Sequence, residues 1–222
     1  MDTPPGRVAR DRAPQGLLRY VTVRGVSARA ILFVSAMVVA AACGREPLEW
    51  ACPEVDYGDL VLTEIRGPQT GSDDEDWFEI HNATDRDIEL YGTQFFIRRL
   101  NGDNPRTIVV RETGIFIGPG EYAVLGQVFP GEEPAYIKYG YANDFPVGLY
   151  DTAAIDILAC GEQIDQVTYR GLTRAGSLAF DGARDPDADL TSDESLWCND
   201  VELQVGSGLV GTPGERNRAC PE

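Results

Sequence analysis

The stretch Asp59 to Leu90, DLVLTEIRGPQTGSDDEDWFEIHNATDRDIEL, decides the fold. It reads as three short strands, Asp59–Arg66, Asp76–Asn82 and Ile88–Tyr91, joined by polar connections. Within the second, Phe78 and Ile80 alternate with Trp77, Glu79 and His81. Period-two alternation of aromatic and branched residues, bounded by Gly, Pro and Asp clusters, is a strand signal.

The same pattern continues downstream. Gln94–Leu100 predicts a strand, Asn101–Pro105 (NGDNP) a turn, and Thr107–Val110 the return strand. Further short strands are expected at Gly114–Ile117, Glu121–Leu125, Gly148–Tyr150, Ala154–Cys160, Gln163–Tyr169 and Gly176–Phe180. Residues 127–147 and the acidic tail from Asp181 read as irregular. No stretch after Cys43 sustains a 3.6-residue period, so the expected class is an all-β sandwich or barrel in one domain, residues 59–222.

The N-terminal part reads as an address. Residues 1–29 carry six arginines, and an apolar run follows from Ala30 to Ala42. Thirteen residues are too few for a membrane-spanning helix, which needs about 20, but they suit the h-region of a signal peptide. Ala40-Ala41-Ala42-Cys43 then resembles a bacterial lipobox, which makes residues 1–42 a lipoprotein-type signal peptide, Cys43 the lipidated residue and 43–58 a tether. The competing reading is a plain secreted protein cleaved near Ala42, with Cys43 in a disulfide. Gly44 follows the cysteine where an Asp would signal retention, and by analogy this favours the outer membrane.

Five cysteines are present, and lipidation of Cys43 leaves four: Cys52, Cys160, Cys198 and Cys220. Four allow three pairings. The pairing taken is Cys160–Cys198 with Cys52–Cys220, the latter joining the two ends of the domain. With no Cys-x-x-Cys pair and a single His, the pattern is not a zinc site.

Charge excludes one class of partner. Beyond residue 42 there remain 13 basic and 34 acidic residues, a formal charge of −21, which repels a phosphate backbone; no nucleic-acid partner is expected. Two acidic loops supply candidate calcium ligands, Asp73, Asp74 and Asp76 in one, Asp185, Asp187 and Asp189 in the other. The second loop fails the EF-hand pattern, because Leu190 stands where Gly is needed and Leu196 where Glu is needed. Both are read as solvated loops, and no metal or cofactor is expected.

Catalysis can be tested by elimination. Any Ser-His or Cys-His arrangement has to use His81, which lies in a strand and reads as a residue near a sheet edge. No nucleophile-elbow or phosphate-loop motif is present. The expected catalytic set is therefore empty.

A set of ordered pieces resembles the lamin-tail domain. They are Leu62-Thr63-Glu64-Ile65, Asp76-Trp77-Phe78-Glu79-Ile80-His81-Asn82, Ile88-Glu89-Leu90-Tyr91-Gly92, Gly118-Pro119-Gly120-Glu121-Tyr122, Ile164-Asp165-Gln166-Val167-Thr168-Tyr169 and Thr212-Pro213-Gly214-Glu215-Arg216-Asn217. Trp197-Cys198 and Cys220 look like the lipid-anchored bacterial subgroup. The chain departs from the family at Thr63, where Asn is usual, and at Thr93-Gln94, where a Trp is common. The resemblance implies an immunoglobulin-like sandwich without intrinsic catalysis, a structural, interaction or adhesion module held to the membrane by its lipid, with its protein or envelope-polymer partner left open. An envelope hydrolase or an accessory subunit of one is the competing function, and calcium-dependent binding is a variant of the first.

Overall fold

A computed structural model describes residues 51–71, 75–205 and 208–221. Twelve strands lie among them: β1 Leu60–Arg66, β2 Trp77–Asn82, β3 Ile88–Glu89, β4 Gln94–Arg99, β5 Arg106–Val109, β6 Phe116–Ile117, β7 Tyr122–Gly126, β8 Ile137–Gly140, β9 Thr152–Ala159, β10 Glu162–Arg170, β11 Ser177–Phe180 and β12 Trp197–Asp200. One turn of helix, α1 (Ala188–Thr191), and a 3-10 turn, Glu194–Leu196, precede β12. The class is all-β. One sheet has the order β12-β11-β1-β2-β7-β8, a second β10-β9-β4-β5, and β3 pairs with β6.

The two larger sheets enclose one core. The six-stranded sheet contributes Leu60, Leu62, Ile65, Phe78 and Ile80; the four-stranded sheet contributes Phe95, Ile97, Ile155, Ile157 and Val167. Phe78 and Phe95 meet across the interlayer space with ring centroids 5.0 Å apart. Sandwich packing of this kind follows from strands with one face apolar.

In β1 the alternation is broken by a bulge. The register to β2 shifts between Leu62 and Glu64, so Leu62 and Ile65 both face the core although three positions apart. The bulge lets the adjacent residues Thr63 and Glu64 turn to the opposite face. That face is buried as well, by a returning C-terminal strap (Thr212–Asn217) on one side and on the other by a small second cluster of Trp77, Val124, Val128 and Ile137.

Several sequence expectations shift. Gly148–Tyr150 is not a strand, while β8 lies inside the stretch expected to be irregular. The tail after Asp181 is not all loop, because it forms α1 and β12. β2 lies between β1 and β7, so His81 sits inside the sheet and not near its edge.

The disulfide pairing is corrected too. All four cysteines are bridged, but as Cys52–Cys160 and Cys198–Cys220, not Cys160–Cys198 and Cys52–Cys220. Cys160 and Gly161 form the two-residue β9–β10 turn with φ of 51° and 86°, the pair of positive values a tight hairpin of this twist requires. This turn sets Cys160 beside the incoming chain, with its Cα 5.5 Å from that of Cys52. The pairing of β12 with β11 brings Cys198 to the C-terminal tail, its Cα 5.8 Å from that of Cys220.

Candidate functional site: a buried carboxylate clasp

Glu64 and Glu79 are register partners on β1 and β2, and both are fully buried. Two carboxylates facing each other away from water are the most unusual chemistry among the described residues, since such a pair resists double ionisation. Each is met by neutral donors. Glu64 accepts from the Ser177 hydroxyl through Oε1, from the Thr212 N–H at 3.1 and 3.2 Å, and lies 3.0 Å from Thr212 Oγ1 through Oε2. Glu79 accepts from Thr63 Oγ1 at 2.8 Å and from the Gly214 N–H at 2.6 Å. Burial pushes Glu64 up to about 7 and Glu79 well above the usual carboxylate range.

Asn217 closes the clasp. Its Nδ2 donates to the carbonyls of Thr63 at 2.7 Å and Phe180 at 3.0 Å. β1 and β11 are in register only at Glu64 and Ile65, so beyond that point this amide takes the place of ladder bonds. Gly211, with φ of +98°, precedes the strap, and a Cβ there would collide with Glu64 Oε1 and Ser177 Oγ.

Three of the pieces that carry the family resemblance, LTEI, WFEIHN and TPGERN, thus meet at one point through Thr63, Glu64, Glu79, Thr212, Gly214 and Asn217. Two further residues of these pieces, Asn82 and Asp165, make similar staples. Asn82 Nδ2 donates to Ile117 O at 2.9 Å and Gly118 O at 3.1 Å. Asp165, also buried and raised by that burial to about 7, accepts from the Leu62 N–H at 2.8 Å, tying the four-stranded sheet to the bulge in β1.

His81 lies on the same face as Glu79, 9% exposed, its ring 4.5 Å from that of Tyr122. Burial lowers its basicity; a bond to the Glu121 backbone opposes this, and Arg216 and Asp185 act with opposite signs. Among the described residues Nδ1 has no hydrogen-bond partner. None of these contacts is a Ser, Thr or Cys side chain.

The acidic candidates separate. Asp73 and Asp74 lie outside the described residues, as does Cys43. Asp76 is buried, accepts from the Leu149 N–H at 2.6 Å, and is raised by burial to about 6 with Arg66 opposing. Asp185 pairs with Arg216 at 3.0 Å. Asp187 caps α1, and Asp189 accepts from the Tyr57 hydroxyl at 2.9 Å. Among the described residues the three carboxylates of this second loop have separate partners, and no group of three or more acidic, His or Cys side chains is placed to hold a metal.

A groove of about 320 Å³ opens where the chain enters the domain, lined by residues that include Cys52, Glu54, Arg86, Asp87, Tyr91 and Phe116. Phe116 is 47% exposed at its wall. Sequence reading did not find this groove, which is assembled from segments far apart in the chain.

No family model matches the chain. No match is found among curated proteins either.

Proposed function

We propose that the chain is a lipid-anchored module of the cell envelope, an all-β domain of the lamin-tail type that works as a structural or protein-interaction element without catalysis of its own. The observation that carries this reading is the commitment of the buried acids to the fold. Glu64, Glu79, Asp76 and Asp165 each accept a backbone N–H, from Thr212, Gly214, Leu149 and Leu62. Carboxylates poised for acid–base work face a cleft that substrate can enter; these are covered by strap, sheet or loop.

The lipobox-like Ala40-Ala41-Ala42-Cys43 and the order of the lamin-tail-like pieces support the anchor and the family. Cys52, the first position fixed to the sandwich, lies nine positions after Cys43, and a chain of that length reaches at most about 30 Å. An anchor at Cys43 would keep the β9–β10 turn, and the groove beside Cys52, close to the membrane surface. This makes the groove the first place to seek a partner segment.

The competing reading, an envelope hydrolase, needs His81 as its base. Purified domain should show no hydrolase activity that disappears in His81→Ala while circular dichroism stays unchanged. An activity lost in that variant with the fold intact would transfer the assignment to the enzyme class.

A further inference from the structure

The strap Thr212–Asn217 is held by contacts whose proton count follows from their geometry. Asn217 turns its Nδ2 toward two carbonyl oxygens, which only accept, so the atom it presents to Thr212 is its Oδ1. Thr212 Oγ1 lies 2.9 Å from that Oδ1 and 3.0 Å from Glu64 Oε2. A hydroxyl carries one proton. Both contacts are hydrogen bonds only when one of the two neighbours supplies a second proton, and an amide oxygen has none to give.

We infer that Glu64 is protonated on Oε2 in the folded protein, donating to Thr212 Oγ1, which in turn donates to Asn217 Oδ1, and that the strap is therefore a proton-dependent latch. Glu79 differs in this respect: the Thr63 hydroxyl has one acceptor to serve, Glu79 Oε1, and the Gly214 N–H donates to Oε2, so no contact there lacks a proton. Burial, and after it the neighbouring Glu64 carboxyl, raises Glu79 even more than Glu64, but the two acceptors facing the one Thr212 hydroxyl place the proton that the pair shares on Glu64.

The other charged groups facing the pair favour a proton as well. Asp200, from β12, raises Glu64, and Glu215, from the strap itself, raises Glu79. Arg218 is held by Asp200 at 2.6 Å, and Arg216 pairs with Asp185 at 3.0 Å on the side of His81, whose own basicity is lowered. Tyr122, from β7, is raised and stays neutral.

The direction of the pH effect follows. Glu64 ordinarily titrates at 4.5 and here at about 7, so the closed strap holds the proton more tightly than the open one. The latch is at full strength below pH 4.5 and weakens as pH rises through 7. Opening would free Thr212 to Asn217 but leave the tail tethered by Cys198–Cys220.

Glu64→Gln separates the possibilities, because a Gln amide donates to Thr212 while its oxygen still accepts from Ser177, mimicking the protonated acid. Amide hydrogen exchange at Gly214, corrected for intrinsic rate, is measured from pH 5 to pH 8 on the disulfide-intact domain. In the parent protein protection should fall by up to about tenfold per pH unit between roughly pH 5 and 7. In E64Q the slope should flatten, with more protection than the parent at pH 8. Loss of protection in E64Q by the same factor at every pH would mean that Glu64 is ionised and would overturn the inference. Carboxyl carbon NMR of the unmodified protein gives an independent reading. A glutamate signal titrating near 7 should vanish from the spectrum of E64Q while that of Glu79 persists; full ionisation of every glutamate by pH 6 would contradict the latch.

Discussion

Asn217 does the work of several ladder bonds. Its amide satisfies two buried carbonyls from strands that have parted at the bulge, and its oxygen receives the Thr212 hydroxyl. Removing it leaves those groups buried without partners, and each such group costs about 1–3 kcal/mol. Asn217→Ala should destabilise the domain by roughly 2–4 kcal/mol in urea unfolding. Asn217→Asp should cost more, because it cannot donate and adds a charge beside Glu64. Near-equal stability of the alanine variant and the parent would mean that the strap does not hold the sheet. Asp165 acts in the same way from the other sheet, its carboxylate standing where a neighbouring strand would take the Leu62 N–H.

At the scale of elements, the bridges pin what the strands alone leave open. Cys52–Cys160 spans 108 residues and Cys198–Cys220 spans 22. Loop-closure entropy assigns the longer bridge about 4–5 kcal/mol and the shorter about 3. Non-reducing peptide mapping should recover these two pairs, and a Cys198→Ser, Cys220→Ser double variant should lose less stability than one lacking Cys52 and Cys160. Recovery of Cys160–Cys198 would contradict the topology around β12.

Much of the element order was legible in the sequence, because β2, β4, β7, β9 and β10 alternate as strands do. The bulge was not, since LVLTEIR reads as one uniform strand and only the partner strand reveals the shift at Thr63. Nor was β8, whose IKYG lies among prolines and pairs in parallel with β7, without a hairpin turn to announce it. The clasp was half legible. Each of its pieces stood out in sequence, yet nothing local says that TPGERN returns to lie over Thr63 and Glu79, more than a hundred residues earlier. The pairing of cysteines failed for the same reason, because it depends on which loops meet.

For the whole molecule, the buried acids set the response to pH. Asp76 at about 6, Asp165 and Glu64 at about 7, and Glu79 above the usual range all bind protons more tightly folded than unfolded. Their contribution is complete below the ordinary carboxylate values of 3.8 and 4.5 and is lost as pH rises through 6 and 7. Asp181 and Asp193 are lowered, so their contribution is lost only in more acid solution, below 3.8. The melting temperature should therefore be higher at pH 5 than at pH 8 at fixed ionic strength. A net charge of −21 beyond residue 42 pushes in the same direction, since acid relieves self-repulsion. A stability maximum near pH 8 would contradict the burial of these groups in the native state.

The same scale holds the proposed role, a domain tethered to a membrane through a residue that precedes it. Mass spectrometry of the mature N-terminus, taken from the membrane fraction of cells making the full chain, tests it most directly. The expected result is an N-terminal Cys43 carrying acyl chains, with Cys43→Ala moving the protein to the soluble fraction. A soluble mature form beginning elsewhere, or an unmodified Cys43, would contradict it.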